Sequence, residues 1–213
     1  MRKTTLLCVA FAAAVSVKAQ SLKPEAGDFG MEIGLRPFAQ DAAVSLIDDG
    51  LKMRYFLTDA DVLRMQIGFN RQQVSESSIG KKTSYGKFDV LLGYERHKSI
   101  SDRVDAFAGA QIGWQKNFAA IDKGGEKYIN SDLNGHHGEN YFVCGLMTGI
   151  DIYLWKGLYC GPEIGLQWNH AKACALKADD GSGIMTFDTP SASVTTSGIG
   201  FYAEPSIRLG WVF

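Results

Sequence analysis

Residues Gly198–Phe213 read GIGFYAEPSIRLGWVF. Taken alternately, Phe201, Ala203, Pro205, Ile207, Leu209, Trp211 and Phe213 make one uncharged face. Tyr202, Glu204, Ser206, Arg208 and Gly210 make the other. This is the period of a β-strand with an apolar and a polar side. The run is about twice the five or six residues common in soluble sheets. A strand that closes a membrane barrel has a use for such length and for the aromatic residues on it.

The same two-faced plan recurs upstream. Gly27–Phe38 sets Met31, Ile33 and Leu35 against Glu32, Gly34 and Arg36. Gly50–Leu57 sets Leu51, Met53, Tyr55 and Leu57 against Lys52, Arg54 and Phe56, and Val62–Gln73 continues with Leu63, Met65, Ile67 and Phe69 against Arg64 and Gln66. Thr83–His97, Val104–Phe118, Asn140–Leu154 and Leu158–His170 follow the pattern, with Leu91 a misfit on the polar side. Short turns are expected at Thr58–Asp61, Ser99–Asp102 and Trp155–Gly157. Long polar connections are expected at Ala39–Asp49, Val74–Lys82, Ala119–Glu139 and Ala171–Ser197. The expected fold is therefore all-β, an eight-stranded antiparallel up-and-down transmembrane β-barrel with short turns at one end and long loops at the other.

Composition agrees. The 213 residues include 24 Gly, 5 Pro and 11% aromatics, with a formal net charge of −1. Glycine and aromatics suit twisted sheets, and the near-zero charge gives no basic field for nucleic acid. Met1–Ala19 reads as a secretory signal peptide: Arg2 and Lys3, an apolar Leu6–Val17, then Val17-Lys18-Ala19. That leaves residues 20–213 as a single barrel domain. The apolar core of the signal is shorter than the roughly 20 residues of a spanning helix. Any membrane crossing must then use a closed sheet, because only helices and barrels satisfy their backbone in lipid. Cys144, Cys160 and Cys174 have neither a disulfide nor a zinc spacing.

The charged face discriminates between barrel types. A soluble lipocalin-like barrel keeps an apolar lumen and a wet exterior. Here Glu32, Arg36, Lys52, Arg54, Arg64, Asp89, Glu95, Asp105, Asp151, Glu163, Glu204 and Arg208 share the face that alternates with an uncharged one. Both signs can pair in a narrow lumen, whereas Arg or Lys on a lipid face costs roughly 2–4 kcal/mol at mid-depth. The expected lumen charge network is Glu32, Arg36, Arg54, Arg64, Glu163, Glu204 and Arg208, plugging the barrel. Leu166→Arg should then harm folding more than Gln167→Arg. Tyr153, Trp155, Tyr159, Trp211 and Phe213 are expected as a girdle at the short-turn rim, and Trp114, Phe118, Phe142 and Trp168 at the other. Pro162 and Pro205 remove ladder donors and should mark bulges.

No catalytic, cofactor or metal constellation is expected. His170 reaches the outer end of its strand but has no serine two residues on, and His136-His137 and Asp179-Asp180-Gly181 lack the rest of a metal site. An enzyme acting on lipid and a soluble binding barrel remain the alternatives.

The chain resembles the small outer-membrane β-barrel family of Gram-negative bacteria, similar in plan to the OmpA membrane domain and OmpX. Gly50–Asp59, GLKMRYFLTD, resembles a signature of the Bacteroidetes branch, and Trp211-Val212-Phe213 resembles the aromatic assembly signal of the family. The resemblance implies an outer-membrane location and a structural, surface-contact or adhesion role for the long loops. It also implies, as partners, outer-membrane lipid and lipopolysaccharide, the outer-membrane assembly machinery and a surface partner not named by any motif. A monomer without nucleic acid is expected.

Overall fold

A computed structural model describes residues 22–35, 50–131, 136–179, 184–187 and 195–213, and only the backbone of residues 35, 186–187 and 201–207. The expected signal peptide 1–19 lies outside the described residues. Among the described residues eleven strands occur: β1 Phe29–Leu35, β2 Leu51–Phe56, β3 Asp61–Glu76, β4 Lys81–Ser101, β5 Val104–Lys123, β6 Glu126–Ile129, β7 Glu139–Trp155, β8 Leu158–Ala173, β9 Leu176–Asp179, β10 Ile184–Phe187 and β11 Thr195–Val212. Eight of them form the wall. Antiparallel pairing runs β1–β2–β3–β4–β5–β7–β8–β11 and returns from β11 to β1, so the sheet closes on itself. No helix among the described residues is long and apolar enough to cross a membrane.

Alternation puts the two faces where the sequence places them. Leu63, Ile67, Phe69, Leu92, Ile112, Trp114, Leu146, Ile150 and Ile164 are exposed on the outside. Glu32, Arg54, Arg64, Glu95, Asp151, Glu163 and Arg208 are buried inside. Leu91 is buried in the lumen with Val143 and Met147, which accounts for its phase. An apolar exterior around a buried ionic interior is the reverse of a water-soluble protein, so the fold is a transmembrane barrel.

The short turns are built as their residues dictate. The Thr58 hydroxyl accepts the Asp61 N–H at 2.9 Å and donates to the Asp61 carboxylate at 2.8 Å. Lys156 and Gly157 both hold positive φ, 30° and 76°, the conformation of a two-residue hairpin turn.

The long-loop end departs from expectation. Val74–Lys82 is not irregular: β3 and β4 stay paired to Glu76↔Lys81 around a 3-10 turn at Ser77–Ile79. With 21 residues, β4 far exceeds the roughly 9–11 needed to cross the bilayer. Buried Thr83, Ala119 and Ile121 back this polar extension on its inner side. The two longest connections are also partly strand. β6 pairs with β5, β9 with β6 and β10 with β9, so Ala119–Glu139 and Ala171–Ser197 share one small sheet. Asn130, at φ 71°, stitches them through its side-chain amide to the Ala175 carbonyl at 2.7 Å. Polar surroundings hid these pairings, because strands of four residues are too short to show a period. On the same extension the Glu126 carboxylate accepts the Tyr128 hydroxyl at 3.1 Å and raises its pKa above the ordinary tyrosine value.

Both internal prolines meet at one irregularity. The β8–β11 register shifts between Glu204 and Arg208, leaving Pro205, Ser206 and Ile207 opposite Pro162. The extra residues of β11 absorb the missing donors. Here Gly161 lies so close to β7 that an added Cβ would sit 1.7 Å from the Ile150 carbonyl oxygen. Gly161→Ala is therefore expected to destabilise the barrel by about 1–3 kcal/mol, measured by urea unfolding in lipid vesicles.

Candidate functional site

Three arginines on three wall strands aim into the lumen. Arg54 of β2 reaches Glu32 at 3.1 Å, Glu95 at 2.9 Å and Asp151 at 2.7 Å, one carboxylate per nitrogen. Arg64 of β3 grips Glu163 with both terminal nitrogens, at 2.7 and 3.0 Å, and touches Glu95 at 3.0 Å. Arg208 of β11 reaches Asp151 at 2.8 Å and Glu32 at 3.3 Å. Its guanidinium also donates to the carbonyls of Ile150 at 3.1 Å and Pro162 at 3.4 Å, acceptors freed where the ladder is irregular. Lys52 approaches Glu163 at 4.0 Å.

The register explains why these contacts cross the lumen. Arg54 lies directly opposite Arg64, and Asp105 directly opposite Asp151. Like charges face each other along the ladder, which is unfavourable for neighbours on one sheet. Arg54 and Arg64 therefore pair diagonally with Glu32 and Glu95 on their neighbouring strands, and across the lumen with Asp151 and Glu163. Four cations, Lys52, Arg54, Arg64 and Arg208, thereby meet four anions, Glu32, Glu95, Asp151 and Glu163. Charges this buried persist only when paired.

Rings insulate the cluster. Arg54 and Arg208 lie 5.0 and 4.7 Å from the centre of the Phe107 ring, and His97 stacks on it at 5.3 Å. His97 also lies 3.1 Å from Glu95. Towards the short-turn end, Phe56, Val62, Tyr153, Tyr159 and Val212 form an apolar stopper, with Leu22 packed against it. Tyr153 and Tyr159 are thus not girdle residues. They share the phase of Asp151 and Glu163 and turn inward. Lys23 closes the same mouth, bonding Asp105 at 2.7 Å and Ser99 at 2.6 Å.

Of the expected network, Glu32, Arg54, Arg64, Glu163 and Arg208 come together. Arg36 lies outside the described residues, as does the side chain of Glu204, whose backbone pairs with Glu163. Glu95, Asp151, Lys52 and His97 were not part of that expected set. Charge balance was the signal for Glu95 and Asp151, since five described members carry three positive charges and two negative. Trp211 packs edge-on against Trp155 at 6.2 Å, and the Phe213 backbone pairs with Phe29.

Two further features lie on the outside. Met53, Tyr55, Leu63, Met65 and Leu92 line an apolar depression of about 320 Å³ on the wall. His170 Nδ1 lies 2.8 Å from Ser197 Oγ, a contact between directly opposed residues of β8 and β11 that spacing along the chain could not reveal.

No family model and no curated protein matches the chain. Among solved structures it is similar to Ail, the attachment invasion locus protein of Yersinia pestis, at 14% identity and a TM-score of 0.41, covering 88% of this chain and 99% of that one. It is also similar to the outer membrane protein AlkL, solved in lipid bilayers, at 12% identity and a TM-score of 0.48, covering 93% and 95%. These values are too low to transfer a function, and the barrel stands on its own strand register.

Proposed function

We propose that this protein is an integral outer-membrane barrel with a plugged lumen, whose non-catalytic surface-contact role is carried by the long-loop end. The observation behind the first part is the crossed ion network, which fills the interior with Arg54, Arg64 and Arg208 and their carboxylates. An eight-stranded barrel is about filled by its own side chains, and here an apolar stopper lies beneath them. Planar-bilayer recordings of the purified protein are expected to show no stable large conductance. A sustained open pore would overturn the plug.

The second part rests on the joint sheet of β6, β9 and β10, which carries exposed Ile184 and Met185 beyond the wall. Such a braced platform suits contact with another surface better than a pair of slack loops. Grafting Ala119–Glu139 together with Ala171–Ser197 onto an inert barrel, and testing adhesion of bacteria that display it, separates contact from a merely structural role. Adhesion no greater than that of the ungrafted barrel would count against it.

A lipid-modifying enzyme is the second reading, favoured by the His170–Ser197 contact at the outer rim. Incubation with lipopolysaccharide, scored for lost acyl chains, tests it. Release abolished by Ser197→Ala would establish it.

A further inference from the structure

We propose that Lys116 and Lys172, with the His170–Ser197 pair beside them, bind the phosphate of a phosphorylated glycolipid in the outer leaflet. The proposal rests on the membrane reading above. The register puts these residues together: Lys116 faces Asn140 on β7, Asn140 faces Lys172 on β8, and Lys172 faces Thr195 on β11. In the row beneath lie Trp114, Phe142, His170 and Ser197, also in ladder contact. Lys116 and Lys172 are both exposed and share the outward phase.

What sets them apart is the absence of a counter-charge on their own face. The outward positions of β5 below Asp122, and all those of β7 and β8, hold no carboxylate. Asp122 itself faces Lys82 and Lys127. Among the described residues, neither Lys116 nor Lys172 has an ion-pair partner. Arg96, Arg103 and Lys156 at the short-turn rim behave differently. Arg96 binds Asp61, Arg103 donates to the Leu154 carbonyl at 3.3 Å, and Lys156 lies 5.6 Å over the Trp155 ring.

A lysine stem can lie along an apolar wall while its ammonium reaches the headgroup layer. Two inter-strand steps separate the lysines by roughly 10 Å, a span that two extended side chains can close upon one phosphate. The aromatic floor fixes the ligand class. Phe142 packs edge-on against Trp168 at 6.2 Å, and Trp168 stacks on His170 at 5.7 Å. The patch therefore offers acyl chains a greasy wall directly beneath a cationic ledge, which suits an anionic amphiphile better than an acidic peptide.

The test uses the full mature chain in maltoside micelles, titrated with diphosphorylated lipid A or its dephosphorylated form, with bound lipid counted by native mass spectrometry. The wild type should prefer the phosphorylated form by about thirtyfold, as expected for two surface lysines. Lys116→Gln with Lys172→Gln should remove the preference, whereas Lys98→Gln with Lys156→Gln at the opposite rim should keep it. In the wild type, raising salt should erode the preference by screening, a readout that needs no variant. Equal binding of the two lipid forms, a preference that survives loss of both lysines, or displacement by inorganic phosphate beyond that caused by sodium chloride at the same ionic strength would each overturn the proposal. Heat-modifiable gel migration is read in parallel. Its absence in the wild type would strike the membrane reading instead.

Discussion

Arg54→Met is expected to lower the stability of the folded barrel in phosphatidylcholine vesicles by about 3–5 kcal/mol, read from urea unfolding followed by gel mobility. The size follows from what remains. Glu32, Glu95 and Asp151 each give one oxygen to this guanidinium, at 3.1, 2.9 and 2.7 Å. Without it, three carboxylates share a dry space with too few cations. Methionine refills much of the volume, so the loss reports charge rather than a cavity. Adding Asp151→Asn should restore part of it, because the second change removes an anion that the first left unpaired. An effect below about 1 kcal/mol for Arg54→Met would mean that water or mobile ions already reach the cluster.

The second large effect lies on the other face. Leu146 is 62% exposed on the outside of β7 and faces Leu166 of β8. Leu146→Arg or Leu166→Arg puts a guanidinium into hydrocarbon and is expected to cost about 2–4 kcal/mol near mid-depth. Gln167 lies one residue on, turned inward, with its amide on Asn169 at 2.8 Å. Gln167→Arg should therefore cost less than either, measured in the same vesicles.

These two faces were legible from alternation alone, because a one-residue slip would put every charge into lipid. Glu32, Arg54, Arg64 and Arg208 could be assigned inward before any pairing was known. Depth was not legible. Glu95 and Asp151 have the lumen phase, but only the stagger between strands brings them to the level of Arg54. Opposite charges are usually sought across a ladder, and here the ladder sets Arg54 against Arg64. The bulge was half legible: two prolines announced it, but only pairing shows that Pro162 and Pro205 share one irregularity. The β6–β9 pairing left no mark in the sequence, because it joins two short polar segments about 50 residues apart. The His170–Ser197 contact escaped because it depends on the register of β8 against β11, set across 27 residues of chain.

The most direct measurement is a nitroxide scan of β7 in lipid bilayers, one cysteine at a time from Phe142 to Leu154, in a background without the native cysteines. Collision with dissolved oxygen should peak at Phe142, Cys144, Leu146, Thr148, Ile150 and Ile152, the outward positions of the strand. A water-soluble nickel complex should reach those six weakly throughout the span. If nickel collisions instead peaked at the outward positions, the apolar face would be in water, and the inside-out barrel would be wrong.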